Sequence, residues 1–434
     1  MTRVVYLVAG EASGDAIGAR LMAALSARAA ARARPLEFRG IGGAQMTRPM
    51  PLCGAPGSPA LRSLFPMAEL SVMGLVEVLP RLLSLRARLH QTVGDIVAAR
   101  PACVVCIDSK GFSQRVMAGV RARLGASAPP LVQYVAPSVW AYRNGAARAR
   151  AFRGVADHLL LLLPFERAHW AEAAVPHTYV GHPAVEVHLE MAEAAQLEAA
   201  AHSKKPCSVL PPRHPRVLGL MAGSRPVEVD AAMRVFPDAV HELRRRARGG
   251  EELRALLINA PDTDARACEL LHRSGLGADV ALNDSPGALR SALSRCDAVA
   301  SVSGTAVLQL ALARTPVVCV YPAPLMTELV ARLLARVAHV SIPNLVVELE
   351  PRFEKERARL PLIPELLFSH CSPRTVADAL EPLLLGARAH EARAAQLEAL
   401  APIRAYLTAP HVRSKPSEVA ADVVWRLARL DEGA

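Results

Sequence analysis

The feature that most constrains this chain is a sustained alternation of short apolar runs with longer stretches whose apolar residues recur every three to four positions. That alternation is the pattern of parallel α/β units. In the first half it predicts strands at 4–9, 37–40, 103–108, 131–135, 158–163 and 178–180, with amphipathic helices at 14–29 and 111–124. From 184 to 215 the pattern dissolves into an Ala/Glu-rich stretch followed by proline-rich segments, which reads as a linker. A second series then opens, with strands expected at 216–221, 253–259, 280–282, 298–302, 317–321 and 340–341. The expected fold is therefore α/β, two Rossmann-like doubly wound domains at 1–183 and 216–385 facing a cleft. A helical tail follows at 386–434, and 348–359 reads as a charged surface insertion. No internal repeat is visible.

Charge and composition narrow the function. The formal net charge is +11, carried almost wholly by arginine, since only Lys110, Lys204, Lys205, Lys355 and Lys415 are lysines. Acidic partners are favoured, although a GC-biased genome also enriches arginine. Aromatic residues make up only 4% and are not interleaved with basic runs, so the stacking platform of a single-strand nucleic-acid binder is missing. The longest apolar run, 316–326, falls far short of the roughly 20 residues that span a bilayer. A strand-like run starts directly after Arg3, leaving no room for a signal or transit peptide, so a cytoplasmic location is expected unless an address has been trimmed. Eight scattered cysteines suggest a reducing compartment rather than a disulfide framework. Cys103 and Cys106 fall inside one apolar strand and read as core thiols.

Several segments put chemistry at strand ends, where open α/β sheets present their ligand edge. Gly10-Glu11-Ala12-Ser13-Gly14-Asp15 follows the first strand, and its backbone N–H groups suit an anion, while Ser13 as a plain helix cap remains an even alternative. Gly40-Ile41-Gly42-Gly43 repeats the ambiguity. Asp108 ends the strand before Ser109-Lys110-Gly111, where a general base belongs, and helix capping has equal standing there. Gly223-Ser224-Arg225, with Glu228 beyond it, has the makings of a diphosphate site, and Ser303-Gly304-Thr305 repeats the device. Asp262-Thr263-Asp264 spells a pattern that can hold a divalent metal, but its place before a helix favours capping, and neither metal nor other cofactor is expected. The apolar stretch 64–79 leads into Arg81, Arg86 and Arg88, which suits an anionic membrane surface or, slightly preferred on pattern alone, a core helix.

In order along the chain stand VAGEASGD at 8–15, GIGGAQM at 40–46, FPMAELSVMGLVEVLP at 65–80, YVAPSVWAY at 134–142, LLPFE at 162–166, VGHP at 180–183, GSR at 223–225, SGTA at 303–306 and PNL at 343–345. This ordered set resembles the lipid-A-disaccharide synthase family, glycosyltransferases of the two-domain GT-B architecture. The segments IDSKGFS and YVAPSVWAY resemble its plant and algal branch, which leaves a mitochondrial or plastid home open. The resemblance implies inverting transfer of a diacylglucosamine unit from its UDP form onto diacylglucosamine 1-phosphate (lipid X), releasing UDP. It also implies peripheral contact with anionic membrane, and leaves a homodimer open. By this likeness Asp108 is the general base. Gly223, Ser224, Arg225, Glu228, Ser303, Gly304, Thr305, Gln309, Tyr321 and Asn344 fall on the donor side. Gly10, Ser13, Gly14, Asp15, Met73, Gly74, Trp140, Tyr142, Arg143, His182 and Pro183 fall on the acceptor and lipid side. Two positions depart from the family pattern: Gln309 replaces a glutamate that would accept from the ribose hydroxyls, and Pro322 replaces an arginine. The rival readings are a non-catalytic homologue that binds acylated sugar or UDP-sugar, and a UDP-sugar epimerase, which would need a different set of carboxylates and histidines.

Overall fold

The structure is a computed structural model that describes residues 2–52, 55–58, 60–70, 75–201, 215–248, 251–323, 328, 333 and 335–431. The chain divides into two compact units, 1–183 with 411–434 and 184–410.

The first unit is built on seven parallel strands: β1 (Arg3–Ala9), β2 (Leu36–Ile41), β5 (Arg62–Ser63), β6 (Cys103–Ile107), β7 (Leu131–Tyr134), β8 (His158–Leu161) and β9 (His177–Tyr179). Their spatial order is β5-β2-β1-β6-β7-β8-β9, with the ribbon β3 (Met50–Leu52) and β4 (Ala55–Ser58) standing apart as an antiparallel pair. The central strands are buried on both faces, which explains their unbroken apolar runs. Cys103 belongs to the core on one face of the sheet and Cys106 to the core on the other, as a three-residue offset in a strand requires. Burial raises both thiols, Cys106 to about 12, so neither is a nucleophile at neutral pH.

Helix α1 (Ala12–Ala31) covers one face together with the helix Pro416–Leu427 from the far end of the chain. Trp425 is buried there, Arg32 stacks over its ring at 5.4 Å, and Arg28 pairs with Asp422. The opposite face packs against α2 (Leu75–Ala99) and α3 (Lys110–Leu124). There the Tyr6 hydroxyl donates to Asp95 at 2.8 Å, tying α2 to β1.

The second unit has six parallel strands, β10 (Arg216–Met221), β11 (Leu253–Asn259), β12 (Asp279–Leu282), β13 (Ala298–Val302), β14 (Val317–Tyr321) and β15 (Glu365–Leu367), in the order β12-β11-β10-β13-β14-β15. This is the doubly wound α/β class expected. Three expectations change. Residues 183–201 are a helix rather than the start of an irregular linker. The 386–434 tail is two separate helices: Ala389–Thr408 lies in the second unit, with Gln396 bonded to both backbone groups of Val317, whereas Pro416–Leu427 completes the first. Residues 340–341 are not a strand; their N–H groups donate to the Glu365 carboxylate, and β15 pairs with β14. The 348–359 segment is anchored, with Phe353 buried edge-on against Tyr406 at 5.5 Å.

Candidate active site

In the first unit the functional segments gather at the carboxyl ends of β1, β6 and β7. Asp108 follows β6 with φ +52, Ser109 follows it with φ +44, and Val135 leaves β7 with φ +67. Left-handed backbone in residues other than glycine costs roughly 1–3 kcal/mol each, and three cases side by side mark a turn held in shape by its surroundings.

The holder is Gln133, a buried residue of β7. Its Nε2 donates to the carbonyls of Asp108, Tyr134 and Val135 at 3.1, 3.2 and 3.2 Å, and Ser113 Oγ donates to the Asp108 carbonyl at 2.8 Å. The Asp108 N–H stays in the ladder with Tyr134 O. Backbone capacity is thus spent inward, and the half-exposed Asp108 side chain stands at the sheet edge. Ser109 occupies the N-cap position of α3 without a side-chain cap hydrogen bond. Gly10 is required by the same turn, since a Cβ there would meet Ser109 Oγ at 2.5 Å. Gly14 packs beneath the turn, against Ile107. Ser13 is the second residue of α1 and exposed, while Glu11 is the N-cap, so the capping alternative for Ser13 falls away.

Other residues assigned to the acceptor side prove to be internal supports. Asp15 is buried, and its carboxylate accepts the N–H groups of Gly43, Gln45 and Met46 at 2.7, 2.8 and 3.1 Å. It fixes the 40–46 loop and is spent on that task. Trp140 is buried, donates to Glu166 at 3.2 Å and packs edge-on to Phe165 at 5.2 Å. Glu166 in turn caps the Leu162 and Leu163 N–H groups, so Trp140 locks two motifs together rather than offering its ring to a sugar. His182 is buried, and burial pushes it down to about 4, leaving it neutral at physiological pH; Pro183 starts the next helix. Tyr142, under the Arg148 guanidinium at 4.0 Å, and exposed Arg143 remain at the surface of this edge. Met73 and Gly74 lie outside the described residues.

In the second unit, β10 runs into Gly223, whose φ of +110 turns the chain so that the Ser224 N–H reaches Glu228 at 3.2 Å. Arg225 donates to the same carboxylate at 2.9 Å, which steadies its guanidinium beside the turn. After β13 come half-buried Ser303 and exposed Gly304 and Thr305, with Gly304 the N-cap of the helix Thr305–Leu312. Thr305 and Gln309 stand one turn apart on the same helix face, and neither side chain makes a hydrogen bond among the described residues. Tyr321 closes β14, edge-on to Phe368 at 5.8 Å.

Asn344 is a correction. Fully buried, it donates to Ile363 O at 2.9 Å and Glu365 Oε1 at 2.7 Å, and accepts from the Leu362 and Ile363 N–H groups at 3.0 and 3.1 Å. An amide has two donor and two acceptor positions, so nothing is left for a ribose. Asp264 opens the helix Asp264–Ser274 and accepts from Asn259 at 2.9 Å. Among the described residues no cluster of His, Cys, Asp or Glu is arranged to hold a metal.

Gln133, Glu166 and Glu365 hold these segments in place without standing among the expected site residues. The available signal was a polar residue within or beside an apolar strand run, which must find partners there.

The model of the lipid-A-disaccharide synthetase family matches residues 5–402. The lipid-A-disaccharide synthase of Granulibacter bethesdensis is 35% identical over 433 residues, covering 96% of this chain and 97% of that protein. An Arabidopsis thaliana protein named probable mitochondrial lipid-A-disaccharide synthase is 32% identical, covering 91% and 82%. Among solved structures, a Staphylococcus aureus MnaA–UDP complex aligns with a TM-score of 0.58 at 11% identity, covering 100% of this chain and 99% of that one. The kitacinnamycin glycosyltransferase aligns at 0.52 and 14%, covering 99% and 100%. At such identities these two likenesses speak for the fold alone. With a family match over nearly its whole length on a GT-B framework, the chain belongs to the lipid-A-disaccharide synthase family of glycosyltransferases.

Proposed function

We propose that the chain transfers the diacylglucosamine unit of UDP-diacylglucosamine to a hydroxyl of diacylglucosamine 1-phosphate, inverting the anomeric carbon. The observation that carries this reading is the strained turn at Asp108. Its carboxylate takes the acceptor hydroxyl proton as the oxygen bonds to the anomeric carbon and the bond from that carbon to the diphosphate breaks. UDP leaves with its negative charge facing Arg225 and the backbone N–H groups that open the helix at Thr305. An assay of UDP release with and without the acceptor tests the reading: release that needs both substrates is expected, and UDP-sugar binding without release would favour the non-catalytic alternative.

Gln309 bears on the same choice. A carboxylate accepts both ribose hydroxyls through charge-assisted bonds, roughly twice as strong as those to an amide oxygen, so glutamine forfeits about 1–2 kcal/mol. Gln309→Glu is expected to tighten UDP binding about tenfold by calorimetry, with the pH profile of transfer unchanged. Absence of UDP binding in both forms would count against the donor site.

The acyl chains of both substrates fit a role in which the apolar, arginine-flanked stretch 64–79 and the start of α2 meet an anionic membrane surface. Among the described residues no helix is long and apolar enough to cross a membrane. Leu83 is 83% exposed on α2, and Arg86 is exposed beside it. Arg88 leaves the expected cation set, because both Glu69 oxygens and the Phe65 ring engage it. Leu83→Glu combined with Arg86→Glu is expected to abolish sedimentation with anionic liposomes at low salt; unchanged sedimentation would remove α2 from the surface.

A further inference from the structure

The donor turns of the second unit follow the carboxyl ends of β10, β13 and β14. At the opposite ends of β13 and β14, roughly 16 Å away along the five-residue strands, lies an open pocket of about 710 Å³. Its polar lining is Asp297, Arg314, His390, Arg393, Glu398 and Arg404, a volume and mixture suited to a small ligand.

The charges there do not cancel. Asp297 is committed to Arg216 at 3.1 Å, to Arg393 at 3.5 Å and to the Val217 N–H at 3.0 Å. Arg314 and Arg404 form no ion pair or side-chain hydrogen bond among the described residues, and Glu398 is paired with neither of them. Burial and, after it, the charge of Arg314 lower the Arg404 guanidinium from its ordinary value, and burial and, after it, the charge of Arg404 lower His188. Like charges brought together without a counter-ion destabilise a fold.

Arg314 follows the end of the helix Thr305–Leu312 with φ +59, the left-handed position that helices commonly fill with glycine. Arg100 and Arg429 take the same left-handed backbone after their own helices, with φ +44 and +48, and a cation there complements the helix C-terminus. Guanidinium pairs such as Arg314 and Arg404 match the oxygens of a phosphate group.

We propose that this pocket is a second anion site, holding the phosphate group of a ligand between Arg314 and Arg404. The site is separate from the donor turns and leaves the transfer chemistry untouched.

Thermal unfolding in inorganic phosphate, against chloride of equal ionic strength, reads it out. Phosphate is expected to stabilise the wild type and still to stabilise Arg225→Gln, whereas in Arg314→Gln/Arg404→Gln its apparent affinity falls about tenfold or more. Without phosphate the double variant should be as stable as the wild type or more so, because the repulsion is gone. An equal phosphate response in the double variant would overturn the proposal, as would loss of the response in Arg225→Gln or a lower stability of the phosphate-free double variant. Liposomes containing phosphatidic acid separate a lipid headgroup from a free phosphate ester: binding that disappears in the double variant assigns the site to lipid, and stabilisation by soluble phosphate alone assigns it to a free ester. The proposal falls if neither probe distinguishes the double variant from the wild type.

Discussion

Asp108→Asn is expected to slow transfer by about a hundred- to ten-thousand-fold while leaving UDP affinity and folding stability close to those of the wild type. That range corresponds to about 3–5 kcal/mol in the activation barrier. The substitution isolates proton acceptance because asparagine has the size of aspartate and tolerates the left-handed backbone that Asp108 adopts. The Gln133 and Ser113 bonds go to the Asp108 carbonyl, not its side chain, so the turn keeps its anchors. Turnover measured beside UDP calorimetry decides the matter. Near-normal turnover would remove Asp108 from catalysis, and a large loss of UDP affinity would show that the variant disturbs more than the proton.

The second large effect is on stability. Asn344→Leu conserves volume but leaves the Leu362 and Ile363 N–H groups and the Ile363 carbonyl buried without partners. Each such group costs about 1–3 kcal/mol, and with partial relaxation the total is expected at about 3–5 kcal/mol. Urea unfolding should show the midpoint falling with little change in slope. Asn344→Asp keeps the acceptor but sets a second carboxylate beside Glu365, where the amide stood at 2.7 Å, and should also destabilise. An unchanged midpoint together with weakened UDP binding would restore Asn344 to the donor side.

The strands at 216–221, 253–259, 298–302 and 317–321 fall where the sequence reading put them, because strands buried on both faces leave an unbroken apolar signature. Residues 340–341 carry the same local pattern, but the Glu365 carboxylate meets their N–H groups in place of a neighbouring strand, and no local pattern reports that. The helix at 183–201 is rich in Ala and Glu and lacks a clear apolar stripe, so its propensity showed only as composition. Within the site, the position of Asp108 was legible from the end of a strand run. Asp15, Trp140 and Asn344 were not separable from ligand contacts, because whether a polar group is spent on its own protein is a property of the folded chain.

The first unit takes its last core helix from residues 416–427, after the whole of 184–410 has been made. At roughly 5–20 residues per second, ribosomal synthesis of those intervening 227 residues lasts about 11–45 s. For that interval the apolar face of α1 that later receives Trp425 has no permanent cover, and the second unit can complete its own core first. Newly made chains should therefore depend on chaperones through the first unit, and stop codons placed before residue 416 should send it to aggregation or proteolysis even though every strand of its sheet is present.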